Sequence, residues 1–116
     1  MNIVIFTPNL NRRLCLVKEI VLKLERFTLI ESYHDDAQLV FPRENIIIDI
    51  RKADLAKTGG LRPDYYLLDD GCDYEFCKSI PYAIERKGNE RLFSMRHLIM
   101  KIVEIILYGK EDQNED

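Results

Sequence analysis

An isoleucine-rich segment at residues 45–50, Asn-Ile-Ile-Ile-Asp-Ile, restricts the possible folds more than any other part of the chain. Its apolar residues follow one another without the strict alternation of a half-exposed strand, and β-branched side chains favour extended structure. Continuous apolar strands are typical of parallel sheets that helices cover on both faces. The segment therefore predicts an interior strand of an α/β protein.

Strand-like and helix-like segments alternate along the rest of the chain. Strands are predicted at 2–6, 27–32, 45–50, 64–68 and 82–85, and helices at 10–26, 52–57, 72–80 and 90–108, with a short segment at 36–41 that Pro42 ends. The first helix is predicted to bury Leu10, Leu14, Val17, Val21 and Leu24. The pattern predicts a flavodoxin-like, three-layer α/β domain with a doubly wound, mostly parallel five-stranded sheet of order 2-1-3-4-5.

Length and composition limit the classes of protein that remain. The 116 residues predict one domain at 1–109, followed by an acidic disordered tail at 110–116. A formal net charge of −3 argues against a generally basic nucleic-acid binder, although a local basic face could still contact nucleic acid. Three cysteines without Cys-x-x-Cys spacing indicate neither a disulfide framework nor a zinc site and favour a reduced, cytoplasmic setting. No apolar run reaches the ~20 residues of a membrane span, so no membrane partner is expected.

Positive charges follow the first, third and fifth predicted strands. The carboxyl ends of parallel strands meet at one edge of a sheet, and a helix N-terminus there favours an anion such as phosphate. The sequence therefore predicts an anion site at this edge, although charged loop ends that only face solvent are an alternative. Its candidate residues are Thr7, Asn9, Arg12, Arg13, Arg51, Lys52, Arg86 and Lys87.

Acidic residues at the same edge suggest a divalent cation site. Asp49 and Asp69 are the candidate ligands, since carboxylate oxygens suit Mg²⁺, and no other cofactor is expected. Asp49 on an isoleucine-rich third strand and Lys87 after the fifth resemble two anchor positions of response-regulator receiver domains, where the aspartate accepts phosphate and the lysine contacts it. Receivers carry an acidic pair where this chain has Thr7-Pro8-Asn9, and a hydroxyl residue where it has Asp69. The resemblance implies a receiver-like module that is not phosphorylated.

A second set of motifs indicates an enzyme. Asp49-Ile50-Arg51, Cys72-Asp73-Tyr74 and Ile84-Glu85-Arg86-Lys87 are similar to the D-x-R, G-D-Y and E-R-K series of XPF-type endonucleases, relatives of the PD-(D/E)-x-K nucleases. The resemblance implies an Mg²⁺-dependent nuclease in which Asp49, Asp73 and Glu85 bind the metal and Lys87 stabilises the developing charge. Asp64 is a second candidate for the upstream acid.

The last predicted helix carries apolar residues on two sides. Leu92, Met95, Ile99, Ile102 and Ile106 form the predicted inward stripe, and Phe93, Met100, Val103 and Leu107 form a second one. The second stripe predicts a homodimer or protein-partner interface, unless the fourth segment and the tail cover it within one chain. The sequence thus favours a non-catalytic, receiver-like regulatory or protein-interaction module, with the nuclease as the alternative.

Overall fold

The computed structural model describes residues 1–24, 31–33, 38–54, 63–80 and 92–114. All six described strands form one sheet of order β2-β3-β4-β1-β5-β6, in which β1 pairs parallel with both β4 and β5, and β5 pairs parallel with β6. The prediction of an α/β chain with a mostly parallel sheet is therefore confirmed. The elements are β1 (Asn2–Thr7), α1 (Leu10–Leu24), β2 (Glu31–Tyr33), β3 (Gln38–Phe41), β4 (Ile46–Lys52), β5 (Tyr65–Asp69), α2 (Tyr74–Lys78), β6 (Leu92–Phe93) and α3 (Met95–Asn114).

The predicted strand order 2-1-3-4-5 is wrong, because β2 does not lie beside β1. Strands β2, β3 and β4 instead form an antiparallel meander at one side of the sheet. The tight turn from Pro42 to Asn45 creates it: Asn45 adopts a left-handed backbone with φ 57°, which asparagine tolerates better than most residues. Its N–H donates to the Pro42 carbonyl at 3.4 Å, and its own carbonyl accepts a 2.7 Å hydrogen bond from the Met1 ammonium. Pro42 therefore opens a hairpin, and β4 has one parallel and one antiparallel neighbour.

Burial along β4 alternates, so the prediction that both of its faces are buried is wrong. Ile46, Ile48 and Ile50 are buried, whereas the intervening residues Ile47, Asp49 and Arg51 are only half-buried. A strand with two polar side chains on one face cannot bury that face as fully as the other. The isoleucine run is consequently an interior strand with one fully apolar face.

Both faces of β1 are buried and contribute to two apolar clusters. Ile3 and Ile5 face α1 and α3, while Val4 and Phe6 face the short helix α2. The Phe6 ring packs edge-on against Phe76 of α2, with 4.9 Å between ring centroids. β1 is therefore the centre of the core.

Helix α1 buries a different stripe from the one predicted. Leu16, Ile20 and Leu24 are buried, but Leu10 and Leu14 are each 55% exposed. The helix carries two adjacent apolar stripes, and the four-residue spacing of the buried series selects one of them. Leu24 belongs to both the predicted and the buried series, and Val17 and Val21 of the predicted series are half-buried and pack against the core.

Helix α3 begins later and ends later than predicted. β6 precedes it, and Ser94 caps it: the Ser94 hydroxyl accepts a hydrogen bond from the His97 N–H at 3.3 Å. The helix continues through Gly109 to Asn114, into the segment predicted as an acidic tail, and the disorder of that tail stays a prediction. One glycine costs a helix only about 1 kcal/mol, which does not force the helix to end. Residues 115 and 116 lie outside the described part of the chain.

Several predicted elements fall outside the described residues. These are the strand at 82–85, most of the strand at 27–32 and positions 55–57 of the helix at 52–57. Within the described ranges, no helix is both long enough and apolar enough to cross a membrane.

Truncating neighbouring isoleucines of β4 tests the alternation. We expect Ile48→Ala to lower the free energy of unfolding by about 3 to 4 kcal/mol, because it leaves a cavity in the core. Ile47→Ala removes the same atoms from a half-buried site and should cost about 1 kcal/mol. Urea unfolding of both variants gives the comparison. Equal losses would contradict the assignment of the two faces.

Candidate functional site

The parallel strands end together at one edge of the sheet, which we call the carboxyl edge. Thr7 of β1 is in register with Lys52 of β4, and Asp69 ends β5 directly after the Phe6–Leu68 pair. The Ala53 N–H donates to the Thr7 carbonyl at 2.7 Å, which extends the ladder past the last pair. The loops that follow these strands therefore start close to one another, as the sequence predicts.

A buried carboxylate forms the centre of this edge. Asp69 has no exposed side-chain surface, and its Oδ2 lies 2.8 Å from Nε of Arg12 in the first turn of α1. Its Oδ1 accepts a 3.0 Å hydrogen bond from the Gly71 N–H. Asn9 caps α1 by accepting the Arg12 N–H at 2.9 Å. The cap stabilises the start of α1, and the ion pair connects its first turn to the end of β5.

The same arginine also holds the next carboxylate. Nη2 of Arg12 lies 3.1 Å from Oδ1 of Asp70, whose side chain is 48% exposed. The hydrogen bond with Asp69 raises the pKa of Arg12, so the guanidinium remains charged. Partial desolvation raises the pKa of Asp70, and the adjacent Asp69 carboxylate raises it further. One cation and two carboxylates thus form a compact network in which Arg12 is held on both sides.

A glycine lets two loops of this edge approach each other. A Cβ on Gly71 would lie 2.8 Å from Cγ of Pro8, closer than carbon atoms normally pack. Any larger residue at position 71 would therefore push the loop after β5 away from the loop after β1. The close contact keeps the Asp69 turn beside the start of α1.

The structure does not support Asp49 and Asp69 as a shared metal site. Asp49 is in register with Val4, three residues before the strand ends, and β1 separates its strand from that of Asp69. Strand spacing puts the two Cα atoms about 14 Å apart, too far for one cation. Asp49 instead accepts a 2.9 Å hydrogen bond from Nε2 of Gln38 on β3. Among the residues that the structure describes, no group of three or more His, Cys, Asp or Glu side chains could hold a metal ion.

The predicted anion-site residues occupy both faces of the carboxyl edge. Thr7 is buried, and its hydroxyl donates to the Arg51 carbonyl at 3.3 Å. Arg51 is on the Phe6 face of the sheet, whereas Arg13 belongs to α1 on the opposite face. Within the described ranges, Nε of Arg13 and Nε of Arg51 are buried and have no hydrogen-bond acceptor.

The other cations of the predicted anion site are Lys52, Arg12, Arg86 and Lys87. Lys52 is exposed at the end of β4, and Arg12 is held by its two carboxylates. Arg86 and Lys87 lie outside the described residues. Anion binding at this edge stays a prediction.

The candidate nuclease acids are spread over the sheet. Asp64 lies at the opposite, amino edge, where its Oδ2 accepts a 2.7 Å hydrogen bond from the Asn2 N–H. Asp73 follows the turn at the carboxyl edge and precedes α2. Asp49 lies between these positions, within β4. Glu85 and Lys87 lie outside the described residues, and the nuclease interpretation stays a prediction.

Comparison of the chain with protein-family models, with curated proteins and with solved structures finds no match. The receiver-like and nuclease-like resemblances therefore depend only on the residues that carry them.

Sequence reasoning missed the pairing of Arg12 with Asp69. It assigned the arginine to an anion site and the aspartate to a metal site, although opposite charges follow two strands that end at the same edge. That combination is the signal that could have indicated an ion pair. It becomes decisive only once β5 is known to lie beside β1.

A second candidate site lies on α3. Met100 is 57% exposed, Leu107 is 44% exposed and Val103 is half-buried; we call these three residues the outer stripe. Phe93 does not belong to it, because it is 2% exposed in β6 and packs in the core. Beside the outer stripe, α1 and α3 border an open groove of about 470 Å³. Its lining residues are Glu19, Lys23, Met95, Arg96, Ile99 and Met100.

Removing the partner of the buried carboxylate tests the ion pair. We expect Arg12→Met to lower the free energy of unfolding by about 2 to 3 kcal/mol, because Asp69 would stay buried without its cation. The exposure of the arginine, 34% of its side chain, keeps the loss below that of a fully buried pair. Lys101→Met breaks the exposed 3.4 Å pair with Glu104 and should cost less than about 0.5 kcal/mol. Similar losses in urea unfolding of the two variants would contradict a structural role for Arg12.

The thiols of Cys15 and Cys72 should differ in reactivity. Cys72 is buried, its Sγ lies 3.3 Å from the Phe6 carbonyl oxygen, and burial raises its pKa to about 12. Cys15 is exposed on α1. Since only thiolates react with iodoacetamide at an appreciable rate, Cys15 should be alkylated in the native protein long before Cys72. Mass spectrometry of a labelling time course measures both rates. Equal rates in the folded protein would show that Cys72 is not buried as described.

Proposed function

We propose that the chain is a non-catalytic, receiver-like regulatory or protein-interaction module that forms homodimers through α3. The outer stripe is the observation that carries this proposal. Met100 and Leu107 lie exposed on the side of α3 that faces away from the buried residues Leu98 and Ile102, and Val103 lies beside them at helical spacing, half-buried against the core. Large apolar side chains in such a series are typical of a surface that binds another protein.

The geometry of the carboxyl edge supports a structural role for its acidic residues. Each oxygen of Asp69 already accepts a hydrogen bond from the protein, and Arg12 neutralises the carboxylate. Asp49, which the receiver resemblance places at the phosphate-accepting position, lies within β4 and is bonded to Gln38. Both arrangements favour a module that is regulated by contacts with a partner over one that is phosphorylated.

The layers of the structure support the receiver-like, doubly wound form of the proposal. Helices α1 and α3 pack on the face of β1 that carries Ile3 and Ile5, and α2 packs on the face that carries Val4. Helices on both faces of a mostly parallel sheet are the arrangement that the receiver resemblance implies.

A negative charge in the outer stripe tests the proposed dimer. We expect the wild-type chain to sediment as a dimer and Met100→Glu to sediment as a folded monomer, because a carboxylate at this exposed site would be buried against the second copy without a partner. Val103→Glu should also weaken the dimer, but it is the less decisive variant because Val103 is half-buried and packs against the core.

Leu22→Glu is the matched control. Leu22 is 51% exposed on α1, outside the outer stripe, so this variant should remain dimeric. Circular dichroism confirms that each variant is folded. A wild-type chain that is monomeric at every accessible concentration, or a Leu22→Glu variant that is as monomeric as Met100→Glu, would contradict the proposal.

A further inference from the structure

We propose that the homodimer forms by antiparallel pairing of two α3 helices around a two-fold axis beside Met100, with Arg96 of each copy opposite Glu104 of the other. This inference rests on the proposed function and specifies how the two copies recognise each other. It assigns a role to the charges that border the outer stripe.

The pattern of charge around Met100 is complementary to itself. Arg96 lies four residues before Met100 and Glu104 lies four residues after it, and both side chains are exposed. Residues four apart follow one side of a helix, so the three positions form a line of cation, apolar residue and anion. A second copy that runs in the opposite direction presents the same line reversed. Each arginine then meets a glutamate, and the two Met100 side chains meet at the axis.

Other ways of pairing the same surface bring like charges together. A parallel pair would place Arg96 against Arg96 and Glu104 against Glu104 of the second copy. An antiparallel pair shifted to put Met100 opposite Leu107 would bring the two Glu104 carboxylates side by side at the axis. Like charges in direct opposition are destabilising, so the arrangement centred on Met100 is favoured.

Leu107 also has an apolar contact in this arrangement. It lies about two helical turns from the axis, level with the residue pair that precedes the first turn of the second helix. Side chains of a helix lean toward its N-terminus, which moves Leu107 toward the aliphatic stem of Arg96 from the second copy. The groove beside the outer stripe shares Arg96 and Met100 with the contact, so it gives the second copy a concave surface.

The pair of Glu104 and Lys101 does not prevent the contact. Nζ of Lys101 lies 3.4 Å from Oε1 of Glu104, and the glutamate side chain is 53% exposed. Exposed ion pairs of this kind are weak, and a carboxylate can accept hydrogen bonds from two cations. Glu104 can therefore reach Arg96 of the second copy without losing Lys101.

Charge reversal tests the pairing directly by sedimentation equilibrium. Arg96→Glu and Glu104→Arg should each weaken the homodimer on the order of tenfold or more, because both ion pairs become like-charge contacts. The double variant Arg96→Glu/Glu104→Arg should recover wild-type association. A mixture of the two single variants should form heterodimers in preference to either homodimer, and high salt should reduce that preference.

The outcomes separate this inference from the proposal on which it rests. If the wild-type chain and both single variants dimerise equally well, the dimer exists but the pairing of Arg96 with Glu104 is wrong. If the wild-type chain is a monomer, both the dimer and the pairing are overturned. Weakened single variants without recovery in the double variant or the mixture also overturn the pairing, because they would show loss of a contact without complementarity.

Discussion

The position of β1 between β4 and β5 is the constraint on which the rest of the structure depends. β1 forms parallel ladders on both sides, so its main-chain groups are paired along both of its edges. Its side chains are buried on both faces, with Ile3 and Ile5 on one and Val4 and Phe6 on the other. A strand held in this way fixes which loops meet, because β4 and β5 run parallel to β1 and end level with it. The carboxyl edge, and the approach of Arg12 to Asp69, both follow from it.

The same constraint determines what remains at the surface. α1 starts directly after β1 and is fastened to the end of β5 by the Arg12–Asp69 pair, so it lies on the Ile3 face beside α3. α3 buries Leu98 and Ile102 against this face. The opposite side of α3 carries the exposed residues Met100 and Leu107, and it packs neither on the sheet nor beneath α1. We propose an interface between copies as the role of these residues.

Local signals in the sequence were sufficient for much of the fold. Apolar β-branched runs located β1 and β4, helical spacing located α1 and most of α3, and the outer stripe was recognised apart from Phe93. Two features needed more than local signals. The turn at Asn45 depends on a left-handed backbone that the sequence permits but does not require. The choice between two apolar stripes on α1 depends on what packs beneath the helix, which also explains why Leu10 and Leu14 were misassigned.

The Arg12–Asp69 pair was the least predictable feature, because 57 residues separate its members in the chain. Its existence depends on the strand order, and the predicted order was wrong. The predicted metal site meets the same difficulty, because Asp49 and Asp69 belong to strands on opposite sides of β1 and lie at different positions along them. Sites built from distant segments require the topology to be known before their chemistry can be assigned.

Nuclear magnetic resonance on a sample that mixes isotopically labelled and unlabelled copies would test the central claim most directly. Filtered nuclear Overhauser spectra of such a sample detect only contacts between copies. A dimer paired around Met100 gives contacts between the Met100 methyl groups of the two copies, and between Leu107 of one copy and the side chain of Arg96 of the other. Contacts between copies that involve other surfaces and leave Met100 out, or no contacts between copies at all, would contradict it.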